Sequence, residues 1–242
     1  MSDLIYGRNP VLSCLNGNRK IEKVLISKTI NDPKFATLCQ KRGVSYKFVS
    51  VNELNSVTKN QNHQGVVCYL KEFEYTELDE FLDKVKSKTE SIVVLLDGVE
   101  DPVNFGSIIR TSSCFNVDGI IISKNRQVQM TPTVSKVATG AEEFVDIVRV
   151  TNLNQTITQL KKEGYWVVSS DGYGKSNYTS IDYSGKICLV VGSEGRGISK
   201  LVLQNSDFVC KIPISGPITS LNASISAAIF LAHIVDFKQN KQ

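Results

Sequence analysis

The chain has 242 residues, 41% of them hydrophobic and 21% charged, which fits a soluble globular protein long enough for two modest domains or one large one. No apolar run approaches the roughly 18 residues of a membrane span, and the opening Met-Ser-Asp-Leu-Ile-Tyr-Gly-Arg lacks the basic-then-apolar plan of a secretory signal, so a cytoplasmic protein with no membrane partner is expected. The net charge of +4 is unevenly spread: residues 1–60 hold ten Lys/Arg against four Asp/Glu, residues 61–90 four against seven, and residues 91–242 fourteen against thirteen. A basic front of this kind suits a polyanion such as RNA, the alternative being an ordinary solvated surface.

The six cysteines are scattered with no Cys-x-x-Cys pair, which points to buried thiols, Cys114 and Cys188 among them, and against a disulfide framework. His63 and His233 are the only histidines and neither neighbours a cysteine, so no metal site is expected. His63 reads as a turn or packing residue, and His233 as a core or interface residue of the last helix.

In chain order, Ile21–Ile26, Val44–Val49 and Gln64–Leu70 read as strands. Asn31-Asp32-Pro33 starts a helix over Lys34–Lys41 that Gly43 stops, and Val51–Ser56 reads as a short helix. These elements make a small α/β domain over residues 1–72. Residues 73–90 form a charged linker, with Leu78, Phe81, Leu82 and Val85 at helical spacing. Ser91–Asp97 then opens a second domain, residues 91–242, with a continuous apolar run typical of a buried parallel strand. Further strands are expected at Gly119–Ile122, Asp146–Val150, Tyr165–Ser169, Ile187–Val191 and Phe208–Ile212, with helices at Asn104–Phe115, Leu153–Glu163 and Leu221–Phe237. Alternating strands and helices imply a parallel sheet covered on both faces.

Three polar patches follow apolar runs, where open α/β sheets bind ligands. The first is Asp101-Pro-Val-Asn104-Phe-Gly-Ser-Ile-Ile-Arg110. Asn104 reads either as the cap that opens a helix or as a functional amide. Arg110 lies beside apolar neighbours, where a guanidinium needs a partner or an aperture. The second patch, Gly192-Ser-Glu194-Gly-Arg-Gly197, has glycines that let backbone approach a ligand, and a carboxylate that turn chemistry alone does not explain. Its order is not the Gly-x-Gly-x-x-Gly of dinucleotide sites. The third, Ser220-Leu-Asn222-Ala-Ser224, follows a stiff loop, and Ser220 or Asn222 is a candidate cap for the last helix. Gly172-Tyr-Gly174-Lys175-Ser176 ends like a phosphate-binding loop, but Ser169 stands where that motif needs glycine.

Jointly, Asp-Pro-x-Asn-x-Gly-x-Ile-x-Arg, Gly-x-Glu-Gly-x-Gly and Ile-Pro-(loop)-Ser-Leu-Asn resemble the three signature motifs of the SpoU family of RNA ribose 2′-O-methyltransferases. Thr139-Gly140-Ala141, His63-Gln64-Gly65-Val66 and Tyr6-Gly7-Arg8-Asn9-Pro10-Val11 extend the resemblance over nearly the whole chain, toward the TrmH/RlmB branch. It implies a C-terminal SPOUT-type α/β domain, a parallel sheet tied in a trefoil knot, behind a small ribosomal-protein-like domain that binds RNA. It further implies S-adenosylmethionine as cofactor, a homodimer, and 2′-O-methylation of structured RNA: a guanosine of large-subunit rRNA by branch, or alternatively tRNA. By motif matching, Gly192, Ile212, Ile214, Leu221 and Ala223 contact the cofactor. Arg110, Asn104, Glu194, Ser220 and Asn222 form the catalytic set. A free arginine, with a pKa above about 12, is a poor base, so Arg110 is read as an orienting group that accepts the proton late. Val103 and Phe105 replace residues common in the family without removing Asn104. The rival readings are a non-catalytic RNA-binding assembly protein and a nucleotide-dependent oxidoreductase; the second lacks the glycine fingerprint.

Overall fold

A computed structural model describes residues 3–17, 20–30, 32–70 and 73–241. The chain forms two compact units, one of residues 1–74 with 130–144 and one of residues 75–129 with 145–242. Residues 130–144, inside the span expected for the second domain, thus group with the first unit.

The first unit is built on β1 (Asp3–Tyr6), α1 (Arg8–Asn16), β2 (Ile21–Ser27), α2 (Lys34–Arg42), β3 (Ser45–Val49), α3 (Val51–Thr58) and β4 (Val66–Leu70). Its four strands run in the order β1-β4-β2-β3, with β2 and β3 parallel and the other pairs antiparallel. On one face Val24, Ile26, Val66 and Cys68 meet Val11 and Leu15 of α1 and Phe35 and Cys39 of α2. On the other, Leu25, Val49 and Val67 lie against Leu54 of α3. Helix α2 stops at Gly43, whose φ of 65° is left-handed, as its sequence position predicts; Asn31 lies outside the described residues. His63 is a turn residue: its Nδ1 accepts from the Gly65 N–H at 2.9 Å, so Nε2 carries the proton toward Asn55 Oδ1 at 3.0 Å.

The second unit comprises α4 (Leu78–Val85), β5 (Ser91–Asp97), α5 (Pro102–Cys114), β6 (Gly119–Ser123), β7 (Asp146–Val150), α7 (Leu153–Lys162), β8 (Tyr165–Ser170), β9 (Ser176–Asn177), β10 (Lys186–Gly192), α8 (Lys200–Gln204), β11 (Phe208–Lys211) and α9 (Ala223–Asn240). The intervening α6 (Pro132–Ala138) belongs to the first unit and packs on β1. There Gly140 has a φ of 87°, and an added Cβ would lie 2.1 Å from that of Ser13, whose hydroxyl donates to the Thr139 carbonyl. Thr139-Gly140-Ala141 is therefore a close-packing device against α1.

The seven strands of the second unit run β7-β6-β5-β10-β8-β11-β9, all parallel. The central pair, β5 and β10, is buried from Ser91 to Leu96 and from Lys186 to Val191, which is why both read as unbroken apolar runs. Lys186 is tolerated there because its ammonium donates to the carbonyls of Val85 and Lys86, at 3.0 and 3.2 Å, and so caps α4. All parallel strands deliver their C-terminal ends to one edge, so the loops after β5, β6, β10 and β11 emerge together.

Five of the six cysteines are buried. Burial, first among the causes, pushes the Cys188 thiol up to about 12 and Cys39 to about 11, values that exclude a thiolate nucleophile near neutral pH. Cys114 departs from expectation: it ends α5 on the exposed side and does not fill the core. Among the described residues no helix is long and apolar enough to cross a membrane, and no group of three His, Cys, Asp or Glu could hold a metal ion.

Phe81 seats α4 on the sheet and is fully buried, and an added Cβ at Gly119 would lie 2.5 Å from its ring. Gly119→Ala is expected to lower stability by about 1–3 kcal/mol through overpacking, read as a lower urea midpoint at unchanged m.

Candidate active site

The site is set by where α5 begins. Asp101 caps it, its Oδ1 accepting the Val103 N–H at 2.6 Å, and Pro102 takes the first helical position. The reading of Asn104 as the residue that opens the helix is therefore corrected. Asn104 is the third residue inside the helix, only 5% exposed, with its amide free for other work. That amide reaches across the sheet edge: Nδ2 donates to Glu194 Oε1 at 2.8 Å, and Oδ1 accepts from Asn222 Nδ2 at 2.8 Å.

Asn222 does two jobs at once. As the cap of α9, its Oδ1 accepts from the N–H groups of Ser224 and Ile225, at 2.8 and 3.3 Å, and from the Ser224 hydroxyl at 2.6 Å. With Oδ1 committed to the helix, Nδ2 must point the other way, and it donates to both Asn104 Oδ1 and Glu194 Oε1. One carboxylate oxygen thus collects two amide donors that are also bonded to each other. Charge-assisted bonds of this kind are about twice as strong as neutral ones. The other Glu194 oxygen has no donor among the described residues.

Glu194 is presented by a loop folded tightly on itself. Ser193 and Gly197 exchange backbone bonds of 3.2 and 2.9 Å, and Gly197 is left-handed at φ 65°. An added Cβ at Gly192 would lie 2.4 Å from the Gly197 carbonyl carbon and 2.5 Å from the Ile198 nitrogen. Gly192 therefore lacks a side chain because its own loop returns over it. Close approach of the loop backbone to a ligand is not needed to explain that glycine. Asp97, at the end of β5, accepts the Ser199 N–H at 2.7 Å and ties the start of α8 to the same edge.

A cavity of about 680 Å³ opens beside this network. Asn104, Glu194 and Ala223 line it, with Asp97, Asp101, Asn125, Arg126, Asn152 and Arg196 around them. Arg110 does not: α5 buries Ile108 and Ile109 and turns Arg110 outward, where it is exposed and pairs with no acid among the described residues. The expectation that its apolar neighbours enclose it fails because it occupies the opposite face of the helix. Ser220 is exposed and caps nothing, since Asn222 holds that position. Of the residues matched to cofactor contact, Gly192 ends β10, Ala223 is buried at the start of α9, Ile212 is half-buried, and Ile214 and Leu221 are exposed.

The sequence reading missed Asp101 as the cap, although Asp-Pro before an apolar helix signals a cap followed by a first-turn proline. Asp97 and Gln127 carry no such signal. Gln127 Oε1 accepts the Val99 N–H at 2.8 Å and clamps two loops that meet only in three dimensions.

A family model described as the SpoU rRNA Methylase family matches residues 91–232, more than half of the chain. The chain belongs to the SpoU methyltransferase family. A second model, RNA 2′-O ribose methyltransferase substrate binding, matches residues 4–76. YacO of Bacillus subtilis, whose name assigns it provisionally to the TrmH family of tRNA/rRNA methyltransferases, is 36% identical over 236 residues, covering 96% of this chain and 94% of its own. A relative from Staphylococcus aureus strain MSSA476 with the same provisional assignment is 37% identical over 235 residues, with the same two coverages. Among solved structures, an AdoMet-bound rRNA methyltransferase from Sinorhizobium meliloti is 25% identical, with a TM-score of 0.81 over 96% of this chain and 86% of its own. The SpoU methyltransferase AviRb from Streptomyces viridochromogenes, in complex with AdoMet, shares the fold at a TM-score of 0.82 and 21% identity, over 98% of this chain and 90% of that one. The enzyme class read from the motifs, an RNA methyltransferase using S-adenosylmethionine, is the class of this family.

Asn222→Ser separates the two jobs of Asn222, since serine caps a helix about as well as asparagine but supplies neither amide donor. The expected outcome is a stability loss confined to the unpaired Asn104 amide, about 1–3 kcal/mol, and methyl transfer reduced on the order of a hundredfold, measured by calorimetry and single-turnover kinetics.

Proposed function

We propose that the protein methylates the 2′-hydroxyl of a ribose in structured RNA, with a guanosine of large-subunit rRNA as the target and a tRNA ribose as the alternative. The observation that carries this reading is the Asn104–Glu194–Asn222 network, which commits every amide atom of two asparagines around one carboxylate. A scaffold that only held RNA would need the cap of α9 and nothing more. The rRNA target rests on the likeness to the RlmB branch, whereas the provisional names of the relatives span both tRNA and rRNA.

The residues suit the cofactor chemically. Ile212, Ile214 and Leu221 are apolar side chains that are half-buried or exposed, able to flank a nucleoside, and Ala223 keeps the start of α9 narrow. Glu194 is the carboxylate of the network, suited to lie beside a cationic sulfur. When bound, S-adenosylmethionine supplies a methyl group on positively charged sulfur, an electrophile for a hydroxyl oxygen.

The chain's own work is alignment. The two amides fix Glu194 so that its other oxygen can accept a hydrogen bond from the ribose. Arg110, exposed and without an acid partner among the described residues, is available to a phosphate or to the reacting oxygen. It orients the hydroxyl as a hydrogen-bond donor, and the proton lost from that hydroxyl passes to water or a substrate phosphate, while Ser220 lines the approach. The homodimer and the trefoil knot belong to the same proposal. Exposed apolar Val103, Leu221 and Ile225 flank Asn104 and Asn222, and a second copy would cover them and bring an acid or RNA contact to Arg110.

The test is methyl transfer from labelled S-adenosylmethionine to total rRNA and tRNA from a strain lacking this gene, followed by nucleoside analysis. Labelled 2′-O-methylguanosine in large-subunit rRNA is the expected result, and label confined to tRNA would select the alternative. In the same assay Arg110→Ala is expected to lose on the order of a hundredfold in turnover while cofactor affinity by calorimetry stays unchanged. No transfer together with no cofactor binding would overturn the reading in favour of the scaffold.

A further inference from the structure

The sheet of the first unit has one face that its own helices cover only in part. Helix α3 covers Leu25, Val49 and Val67, while Leu4, Tyr6 and Tyr69 on that face are only partly buried. Strand register fixes their placement. Tyr69 pairs with Leu4 of β1 and with Lys23 of β2, and Tyr6 pairs with Val67, so Tyr6 and Tyr69 are diagonal neighbours on one face. Lys47 is on that face too, opposite Leu25, and is exposed.

A lysine lies over each tyrosine. The Lys23 ammonium is 4.4 Å from the ring centroid of Tyr69, and that of Lys136, on α6, is 5.0 Å from Tyr6. Both lysines are exposed, and neither forms an ion pair among the described residues. Each half-buried ring thus has an exposed cation over its face. An exposed cation–π contact is weaker than the stacking of a base on an aromatic ring. A base can therefore displace the lysine from the ring, and the freed ammonium is then close to the phosphate that follows.

We propose that this open part of the sheet is a docking surface for an unpaired stretch of the RNA substrate, with bases stacking on Tyr6 and Tyr69 and phosphates held by Lys23, Lys47 and Lys136. This rests on the RNA-methyltransferase reading and adds to it the surface and the form of RNA recognised. Charge complementarity selects the occupant, because residues 1–60 carry ten Lys/Arg against four Asp/Glu. The rings select unpaired strands, since the bases of a duplex are stacked on each other and offer no free face. The Tyr69 phenol is held above its ordinary range, by burial first and then by the carboxylates Glu22 and Glu53, so it remains a neutral ring.

The experiment uses the full chain and fluorescence anisotropy with a labelled single-stranded oligoribonucleotide of about 12 nucleotides, beside a duplex of the same sequence. Tyr69→Leu keeps an apolar side chain without the ring and is expected to weaken single-strand binding about tenfold, with duplex binding and S-adenosylmethionine affinity unchanged. Lys23→Gln with Lys136→Gln, both at exposed positions, is expected to lower the salt dependence by about two phosphate contacts. Phe48→Ala, at an exposed ring on the opposite sheet face across from Ile26, is expected to change nothing. Tyr69→Leu binding the single strand as tightly as the parent, or Phe48→Ala weakening it more than Tyr69→Leu does, would overturn the proposal. Methyl transfer by the parent protein in either case would leave the enzymatic reading standing. Absence of cofactor binding by the parent would remove that reading, and the oligonucleotide titrations would still decide the surface.

Discussion

Asn222 has one amide, and both ends of it are taken. Its oxygen holds the first turn of α9, so its nitrogen can face only Asn104 and Glu194. This constraint organises the C-terminal edge of the second unit. It joins the start of α5, the loop after β10 and the start of α9, three segments that are remote in sequence. A shift of any of the three would strain the bonds of the buried Asn104 amide, whose loss of a partner costs on the order of 1–3 kcal/mol, whereas the exposed Asn222 and Glu194 can turn to water.

The parallel sheet makes that meeting possible. Seven strands pointing one way put the ends of β5 and β10 side by side, with Asp97 in register with Gly192. Asp97 then reaches the start of α8, while Asp101 sets the start of α5 and carries Asn104 inside it. The loop that returns over Gly192 raises Glu194 to where the two amides meet it. In the proposed reaction stability and chemistry would draw on the same bonds, so substitutions in the network must be chosen to keep the caps.

Much of this was legible in the sequence, for identifiable reasons. β5 and β10 read as strands because burial on both faces demands unbroken apolar runs, and α2 ends at a glycine because its stop needs a left-handed residue. The three patches were legible because polar residues at the ends of such strands have few structural reasons to be there. β1, α1 and α6 were not read, being short and mixed in polarity, with their apolar positions chosen by partners elsewhere in the first unit. The role of Asn104 was half legible. The residue type fits a cap, and only Asp101, three residues earlier, shows that the cap is already filled. Arg110 was misjudged because neighbours in sequence lie about 100° apart around a helix, so flanking isoleucines do not enclose it.

The central claim is that Asn104 acts on the proposed reaction through Glu194. A double-mutant cycle on methyl transfer, using Asn104→Ala, Glu194→Gln and the pair together, tests it most directly. The account predicts that each single change lowers turnover strongly and that the double variant is no slower than the slower single one, within about threefold. Losses that multiply would show that the two residues act independently and would contradict the account.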